Sequence, residues 1–446
     1  MAVDLVDLMR GLDDRVPRYT SYPTADRFEA NVGVREYLAA VRESNSLPLP
    51  PPLSLYVHVP FCHSLCYFCG CNKMVTRNLK KPGEYLEALG AELRWHGRLF
   101  DHDRKVDQLH LGGGTPTFLT DLQLQKLLRI AGEAFELDYG REREFSIEID
   151  PRTVDAVRAR NLVGMGFNRF SLGIQDFDPD VQASVNRVQS FGDIEAVVAS
   201  LRASGDVAIS FDLIYGLPHQ NRESFGRTIE RTIELLPDRI AVYRYAHLPQ
   251  RFKSQRLLES DRPELEERLE MFAKARRMLL EAGYEAIGLD HFARPEDELA
   301  RAWKDGSLHR NFQGYSTRGG RDLIAAGPSA MGFVGHCFVQ NEPRYADWKD
   351  RALEGDSFVR GFVMNTDDRM RARLIQDIMC RGRVNLEKLA ERYTSTEWKD
   401  LFDPENGDLH ALESKGLIQL DGPSLVATPE GILALRQIAK TFDRYL

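Results

Sequence analysis

Short apolar runs alternate with helical stretches through the middle of the chain, and this alternation is the feature that most constrains its fold. The runs are rich in β-branched residues and recur at roughly thirty-residue intervals, which is typical of βαβ units and a parallel sheet. They cover residues 53–59, 106–111, 145–149, 169–174, 208–215 and 239–245. Six such units favour an α/β fold with a complete or partial (β/α) barrel over a three-layer sandwich, although periodicity alone does not decide between the two.

The composition narrows the class of protein. The 446 residues are 43% hydrophobic and 28% charged, with a formal net charge of -8, so the chain has the composition of a globular protein and lacks the basic surface of a nucleic-acid binder. The first twenty residues interrupt every apolar run with a charge, and no apolar run is long enough to span a bilayer. We therefore predict a cytoplasmic, reduced protein with no nucleic-acid or membrane partner.

The sequence also suggests three domains. Residues 1–46 form an N-terminal extension that could close over a pocket as a lid, and a proline-rich spacer follows at 47–52. Residues 47–360 carry the predicted barrel. Residues 361–446 are mostly helical and include a hairpin predicted to turn at Asp421–Gly422, a winged-helix-like layout. Because the chain is acidic, we favour a cap on the barrel over a DNA-docking role for this domain.

Four of the six cysteines lie within eleven residues, at Cys62, Cys66, Cys69 and Cys71. Thiolates two or three residues apart can converge on one centre, either zinc or an iron–sulfur cluster. A zinc loop made of four local cysteines would be cramped, and buried cysteines without a ligand fit this density poorly. Three thiolates on a [4Fe–4S] cluster would leave one iron open to a small molecule.

Polar residues follow the strands after the cysteine loop. A glycine-rich turn follows the second strand, and glycines let a backbone approach a ligand closely. Glu148, Gln175, Arg187 and Asp212 lie at or after later strand ends. Each is more often structural when taken alone. Together they form a ring on the barrel face where (β/α) barrels carry their chemistry.

A second group of residues mixes basic and aromatic side chains near the middle of the C-terminal half. It contains His291, Arg294, His309 and Arg310. The group is either a solvated surface loop or a pocket whose arginines pair with the carboxylates of an anionic aromatic substrate. Periodicity does not choose between these interpretations.

The cysteine motif carries a family resemblance. Cysteines spaced by three and two residues, with aromatic Phe68 before the third and a strand just before the first, resemble the radical S-adenosylmethionine (SAM) enzymes. The segments "RYTSYPTA", "YVHVPFCHSLCYFCGCNK", "GGGTPT", "GFNRFSLGIQDF", "DLIYGLP", "YAHLP", "DHFARP" and "HRNFQGY" together resemble the oxygen-independent coproporphyrinogen III oxidases. "RYTSYPTA" and Cys71 distinguish that family from the related haem chaperones.

The resemblance implies a set of site residues. Cys62, Cys66 and Cys69 would ligate a [4Fe–4S] cluster, while Cys71 would act catalytically near the substrate. Two SAM molecules would be bound by Tyr56, Phe68, Gly113, Gly114, Thr115, Glu148, Gln175, Arg187, Asp212, Ala246 and Met331. Met331 stands where the family tends to have a smaller branched residue.

The resemblance also implies an activity. The enzyme would convert two propionates of coproporphyrinogen III to vinyl groups, giving protoporphyrinogen IX, by hydrogen abstraction with a 5′-deoxyadenosyl radical. Arg18, Arg244, Arg294 and Arg310 are candidate partners of the substrate propionates. A flavodoxin- or ferredoxin-type electron donor and a monomeric state are expected. The alternatives are a haem chaperone, another tetrapyrrole-acting radical SAM enzyme such as a methyltransferase, and a zinc-stabilised structural protein.

Overall fold

A computed structural model describes residues 5–12, 16–402 and 407–446. Residues 1–4 and 13–15 of the predicted N-terminal extension, and residues 403–406 of the predicted C-terminal domain, lie outside this description. Within the described chain, the strands are β1 (Leu53–Val59), β2 (Phe61–Cys62), β3 (Met74–Val75), β4 (Val106–Gly113), β5 (Glu144–Ile149), β6 (Arg169–Gln175), β7 (Ala208–Tyr215), β8 (Arg239–Arg244), β9 (Glu285–Ile287), β10 (His291–Ala293), β11 (His309–Asn311), β12 (Gly314–Ser316), β13 (Asp322–Ala326), β14 (Met331–Val334), β15 (Cys337–Asn341), β16 (Phe358–Val363), β17 (Arg383–Asn385), β18 (Ile418–Asp421) and β19 (Ser424–Ala427).

The helices follow the strands of the barrel and fill the chain's two ends. They are α1 (Leu5–Arg10), α2 (Val34–Asn45), α3 (Lys81–Gly97), α4 (Asp121–Ala134), α5 (Ala156–Gly164), α6 (Pro179–Ser184), α7 (Phe191–Ser204), α8 (Arg222–Glu234), α9 (Leu265–Glu281), α10 (Glu298–Asp305), α11 (Tyr345–Glu354), α12 (Thr366–Arg381), α13 (Leu386–Tyr393), α14 (Trp398–Leu401), α15 (Gly407–Ser414) and α16 (Leu435–Lys440). No described helix is both long and apolar enough to cross a membrane.

Backbone contacts divide the chain into two compact units. The barrel unit contains Glu29–Glu264 and Gly320–Val363, and the terminal unit contains the segment ending at Phe28 together with Leu265–Gly319 and Met364–Leu446. This division cuts the chain at other places than the predicted domain boundaries, since residues 265–319 group with the chain ends. The three-domain scheme stays a prediction.

In the barrel unit, one sheet carries the strands in the order β16-β15-β14-β13-β1-β4-β5-β6-β7-β8. The pairs from β13 to β8 are parallel, and β13 to β16 are joined antiparallel. All six predicted strands are present, within two residues of their predicted ends. The predicted α/β fold with a partial (β/α) barrel is therefore confirmed.

The barrel strands are buried because helices cover the sheet. Every residue of Leu53–Val59 is buried except half-buried Tyr56, the near-continuous apolar pattern of a parallel strand. The following helices begin at side-chain caps: at α4 the Thr120 hydroxyl accepts from the Gln123 N–H at 3.3 Å, and the Gln123 side chain bonds back to the Thr120 backbone. Such caps satisfy orphan amides at the helix start.

The terminal unit has its own apolar core, built from α10, α12, α13, α16 and the small strands. Strands β17, β19 and β18 form a three-stranded antiparallel sheet, as a winged-helix-like layout requires. Its hairpin turns one residue later than predicted. Asp421 still pairs with Ser424, so the loop is Gly422–Pro423; Gly422 supplies a positive φ of 53° and proline, which has no N–H, leaves the ladder intact.

Candidate active site

A cavity of about 440 Å³ opens at the carboxyl ends of the barrel strands. It is bordered by the cysteine loop after β2 and by the residues that end or follow β4, β5, β6, β7 and β8. The predicted site residues that line it are Cys62, Cys66, Phe68, Cys69, Cys71, Gly113, Gly114, Thr115, Glu148, Gln175, Arg187, Asp212 and Ala246. The structure thus brings together residues that are up to 184 positions apart (246 − 62), as the ring of strand-end residues predicted.

The four clustered thiols differ in their exposure. Cys62 and Cys66 are buried, Cys69 is half-buried and Cys71 is exposed. Cys62 Sγ lies 3.6 Å from the Thr115 hydroxyl oxygen, and burial raises the pKa of the Cys62 thiol to about 11. Cys62 and Cys66 are therefore the most shielded of the four cysteines that line the cavity.

The outer thiols, Cys69 and Cys71, interact with each other. The Cys71 S–H donates to Cys69, which together with nearby Lys73 lowers the pKa of the Cys69 thiol to about 6. Lys73 Nζ also donates to the Cys69 carbonyl oxygen at 2.9 Å. A thiolate at Cys69 is the form that binds a metal.

One backbone hydrogen bond and two from the Gln255 side chain fix the cysteine loop to the barrel. The Tyr67 N–H donates to the Val185 carbonyl at 3.1 Å. The buried Gln255 amide donates to the carbonyls of Phe68 at 2.8 Å and Ala246 at 3.2 Å. The loop is therefore held against both the α6 end and the segment after β8.

Two arginines flank the sulfur of Cys66. Arg152 Nη2 and Arg187 Nη1 each lie 3.5 Å from Cys66 Sγ. Asp150 binds both guanidiniums, at 2.6 Å and 3.2 Å. Although burial by itself raises the pKa of the Asp150 carboxyl, the two arginines lower it below its ordinary value. The sulfur thus faces two cations that share one buried carboxylate.

The glycine-rich turn leaves no room for side chains. Gly113 has a φ of 113°, and a Cβ there would lie 2.8 Å from the His58 ring. A Cβ on Gly114 would lie 2.8 Å from the Phe61 carbonyl oxygen. Both contacts are closer than real Cβ atoms allow, so glycine is needed at 113 beside His58 of β1 and at 114 where the turn meets the start of the cysteine loop.

Two carboxylates line the cavity away from Cys66. Glu148 accepts from the Gly113 N–H and faces His110 Nε2, each at 3.2 Å. Asp212 accepts from the Ser171 hydroxyl at 2.9 Å. Burial, with a smaller contribution from the charge of Glu148, raises the pKa of Asp212 to about 6. These groups can accept hydrogen bonds from hydroxyls or amines of a ligand.

The end of β6 is conformationally unusual. Gln175 has a φ of 67°, rare for a residue with a side chain. A Cβ on Gly173 would lie 2.8 Å from Gln175 Nε2 and 2.9 Å from Arg187 Nη2. Strained backbone of this kind concentrates at functional sites, and it directs Gln175 and Arg187 into the cavity.

Two predicted SAM contacts are not among the cavity-lining residues that the structure describes. Tyr56 stacks on His110 with ring centroids 5.7 Å apart, and its hydroxyl donates to His58 Nδ1 at 3.1 Å. Tyr56 therefore packs against His110, the residue that faces Glu148. Met331 lies on β14 opposite Gln340. The roles of both residues stay predictions.

The predicted propionate partners fall in different units. Arg244 lines the cavity. Arg18, Arg294 and Arg310 belong to the terminal unit, where Arg18 pairs with buried Asp290. Of the four predicted propionate partners, Arg244 is the one that lies in the same unit as the cavity.

Sequence reasoning missed several cavity residues. Asp150 and Arg152 directly follow β5, so the strand-end rule that selected Glu148 also applied to them. Lys73 is two residues from Cys71, and a cation so close to a thiol cluster was a usable signal. Gln255 lies in a 3-10 turn, Lys253–Leu258, and no sequence pattern marked it.

The side chains around the cysteine loop fit the implied iron–sulfur cluster and not a single metal ion. In the described residues, no three His, Cys, Asp or Glu side chains are placed to hold a single metal ion. Three thiols on one loop do line one cavity, with cations beside the sulfur of Cys66 and a thiol of lowered pKa at Cys69. Soft thiolates with N–H donors at their sulfurs are the surroundings of iron–sulfur clusters, so the residues fit that group.

Two family models match the chain. Residues 56–232 match the radical SAM superfamily, and residues 364–434 match the HemN C-terminal domain. The first match includes the cysteine loop and the polar residues as far as Asp212. The second covers most of the helical segment after Val363.

Two relatives match nearly end to end. The chain is 42% identical to the oxygen-independent coproporphyrinogen III oxidase of Escherichia coli over 96% of this chain and 93% of that one. It is 41% identical to the enzyme of the same name from Pseudomonas aeruginosa, over 99% and 95% of the two chains.

A solved structure agrees in fold. The structure of coproporphyrinogen III oxidase from E. coli, described as a radical SAM enzyme, superposes with a TM-score of 0.92 at 41% identity. It covers 96% of this chain and 98% of that one. With its cavity, its cysteine loop and these matches, the chain belongs to the oxygen-independent coproporphyrinogen III oxidase family of radical SAM enzymes.

Proposed function

We propose that this chain is an oxygen-independent coproporphyrinogen III oxidase of haem biosynthesis. Two propionate side chains of the substrate become vinyl groups, giving protoporphyrinogen IX. Each propionate loses a hydrogen atom from its β carbon, CO2, and one electron to an acceptor. The observation that carries the proposal is the convergence of three cysteines, a glycine-rich turn and the polar strand-end residues on one cavity.

Cys62, Cys66 and Cys69 would hold a [4Fe–4S] cluster. When bound, the cluster and SAM supply a 5′-deoxyadenosyl radical that takes a hydrogen atom from substrate. The protein's part is to bind, orient and exclude water. Arg152 and Arg187 offset the negative charge of the thiolates at Cys66.

The other side of the cavity suits SAM. Gly113 and Gly114 keep the backbone open for close approach. Glu148 and Asp212 carry acceptor oxygens, which suit the amine and ribose hydroxyls that SAM presents as donors. Thr115, Gln175, Phe68 and Ala246 complete this wall. Two SAM molecules, as the family resemblance implies, are part of the proposal.

Substrate handling is assigned to Arg244 and Cys71. A guanidinium pairs with a carboxylate through two parallel hydrogen bonds, so Arg244, which lines the cavity, would pair with a propionate. Cys71 is an exposed residue that lines the cavity, and its thiol would act on the substrate. If Cys71 ligated the cluster, it would close the iron that SAM needs, so its role lies with the substrate.

The electron donor and the oligomeric state are also part of the proposal. A flavodoxin- or ferredoxin-type protein would supply the electron for SAM cleavage, and the enzyme would act as a monomer in the cytoplasm. Pull-down of a reduced flavodoxin and size-exclusion chromatography with light scattering would test these two assignments separately.

An anaerobic turnover assay tests the function. Reconstituted protein, SAM, dithionite-reduced flavodoxin and coproporphyrinogen III are combined, and mass spectrometry follows porphyrins and 5′-deoxyadenosine. Vinyl products formed together with 5′-deoxyadenosine are expected. Deoxyadenosine without vinyl product would favour another tetrapyrrole substrate, and neither product from fully loaded protein would favour a haem chaperone.

A further inference from the structure

Three charged side chains beside Cys66 form a connected set whose effect on the reduction of the cluster is not part of the proposed function. Asp150 forms two bonds with Arg152, Nε to Oδ1 at 3.0 Å and Nη2 to Oδ2 at 2.6 Å. Its Oδ2 also accepts from Arg187 Nη1 at 3.2 Å. The side chains of Asp150 and Arg187 are 9% exposed and that of Arg152 is 23% exposed. We call these residues the Asp150 triad; its net charge is positive.

The local backbone holds the triad in place. Asp150 caps the 3-10 turn Pro151–Thr153, accepting from the Arg152 N–H at 3.1 Å, while its carbonyl accepts from the Thr153 N–H at 2.9 Å. The Arg152 side chain therefore folds back onto the residue that caps its own turn. A side chain fixed this way loses little entropy when its guanidinium donates to a sulfur.

The contacts to the Cys66 sulfur indicate which property of the cluster the triad affects. Arg152 and Arg187 donate to the same atom, Cys66 Sγ, from two different loops at equal distances of 3.5 Å. Hydrogen bonds to the sulfurs and the net charge nearby set the reduction potential of an iron–sulfur cluster. Reduction adds negative charge, so nearby cations and N–H donors favour the reduced form.

We propose that Arg152 is a positioning residue that, through the Asp150 triad, raises the reduction potential of the cluster held by Cys66. This inference rests on the proposed function, because it needs a cluster on that cysteine. It assigns Arg152 a task separate from binding SAM. Arg152 tunes how readily the enzyme accepts the electron that starts each cycle.

The test is an anaerobic redox titration of the loaded full-length protein, followed by electron paramagnetic resonance of the reduced cluster. For Arg152→Gln, with iron and sulfide content equal to the wild type, we expect the ratio of reduced to oxidised cluster at a fixed potential to fall about tenfold. For a one-electron couple this is a shift of ~59 mV to more negative potential. Arg152→Lys keeps the charge and should shift less.

Asp150→Asn is the opposing variant. Asparagine caps a helical turn as well as aspartate does, and its substitution removes a negative charge, so the potential should move to a more positive value. If Arg152→Gln does not hold a full cluster, the reduction potential of Asp150→Asn tests the inference instead. Arg143→Gln is the matched control, because Arg143 lies at the other end of β5 and donates to the Gly166 carbonyl; we expect no shift.

Two results would overturn the inference. One is a wild-type potential in a fully loaded Arg152→Gln or Asp150→Asn protein, and the other is an equal shift in Arg143→Gln. Failure of the proposed function would look different from failure of this inference. In that case the wild-type protein itself would hold no cluster or release no 5′-deoxyadenosine. A purely structural role of Arg152 would lower the melting temperature and leave the potential unchanged.

Discussion

The cavity has two charged regions of opposite sign, and they are built differently. Arg152 and Arg187 form an arginine pair that contacts the sulfur of Cys66 and shares one buried carboxylate. Glu148 and Asp212 form a carboxylate pair whose oxygens accept from a backbone amide and a hydroxyl, and Glu148 also faces His110. The first region holds two guanidiniums on one carboxylate and keeps a net positive charge, and the second keeps acceptor capacity for a ligand.

This difference matches the charges of the two cofactors. A cluster with thiolate ligands is negative and needs compensation close to its sulfurs. SAM carries a sulfonium and an ammonium group, which a carboxylate attracts. We therefore expect the arginine pair to act on the cluster and the carboxylate pair on SAM, while the predicted SAM contact of Arg187 stays a prediction. Substitutions of Arg152 and of the two carboxylates should affect different measurements.

The largest effect is expected from Cys66→Ser. Serine offers a poor ligand for iron in place of a soft thiolate, and the two guanidiniums would lose their shared contact with sulfur. We expect iron content and SAM cleavage to fall to background, measured by iron and sulfide analysis and by release of 5′-deoxyadenosine. Cys337→Ala, which removes a buried thiol elsewhere in the barrel unit, should keep wild-type iron. A full cluster in Cys66→Ser would remove Cys66 from the ligand set.

Cys71→Ser should separate the cluster from turnover. Because Cys71 is exposed and is not assigned to the cluster, iron content should be unchanged. A serine hydroxyl is far less acidic and less reactive than a thiol, so formation of vinyl product should fall at least about tenfold. Product analysis by liquid chromatography measures this. Loss of the cluster in this variant would mean that the register of the ligand cysteines has been misassigned.

Glu148→Gln should weaken SAM binding and spare the cluster. The amide has one acceptor oxygen, already needed by the Gly113 N–H, and it carries no charge for the ammonium group. We expect the Kd for SAM to rise about tenfold, or ~1.4 kcal/mol, by anaerobic calorimetry. Glu142→Gln, at an exposed position before β5, is the matched control. Equal weakening in both variants would contradict a specific role for Glu148.

The smallest expected effect is a pH dependence due to Asp212. Burial raises the pKa of its carboxyl to about 6, so the group is ionised at pH 7 and largely protonated at pH 5. SAM affinity should therefore fall a fewfold as pH drops through about 6, and the dependence should vanish in Asp212→Asn. Because the folded pKa is raised, the same group contributes stability that is lost as pH rises through about 6. Affinity that stays flat in the wild type would exclude a direct role for Asp212.

The sequence predicted the parts of this molecule that depend on local pattern. The strands were found because β-branched apolar runs recur between helical stretches, and their buried faces follow from the same runs. The cluster loop was found because four cysteines within eleven residues are rare outside metal sites. The placement of Glu148, Gln175 and Asp212 followed from the rule that barrel strands end at one face.

What the sequence could not supply depends on contacts between distant residues. The shared contact of Arg152 and Arg187 with one sulfur joins segments 35 positions apart (187 − 152). Gln255 reaches the carbonyl of Phe68 from a turn with no motif. The grouping of residues 265–319 with the two chain ends is likewise set by long-range packing, and no composition change marks it.

In the proposed reaction, a hydrogen atom passes from a propionate β carbon of the substrate to 5′-deoxyadenosine. This transfer is tested most directly with coproporphyrinogen III carrying deuterium on the β carbons of its propionates. Loaded wild-type protein is incubated anaerobically with SAM and reductant, and mass spectrometry of 5′-deoxyadenosine measures label transfer. We expect one deuterium in each 5′-deoxyadenosine formed together with vinyl product. Unlabelled 5′-deoxyadenosine alongside vinyl product would contradict the claim.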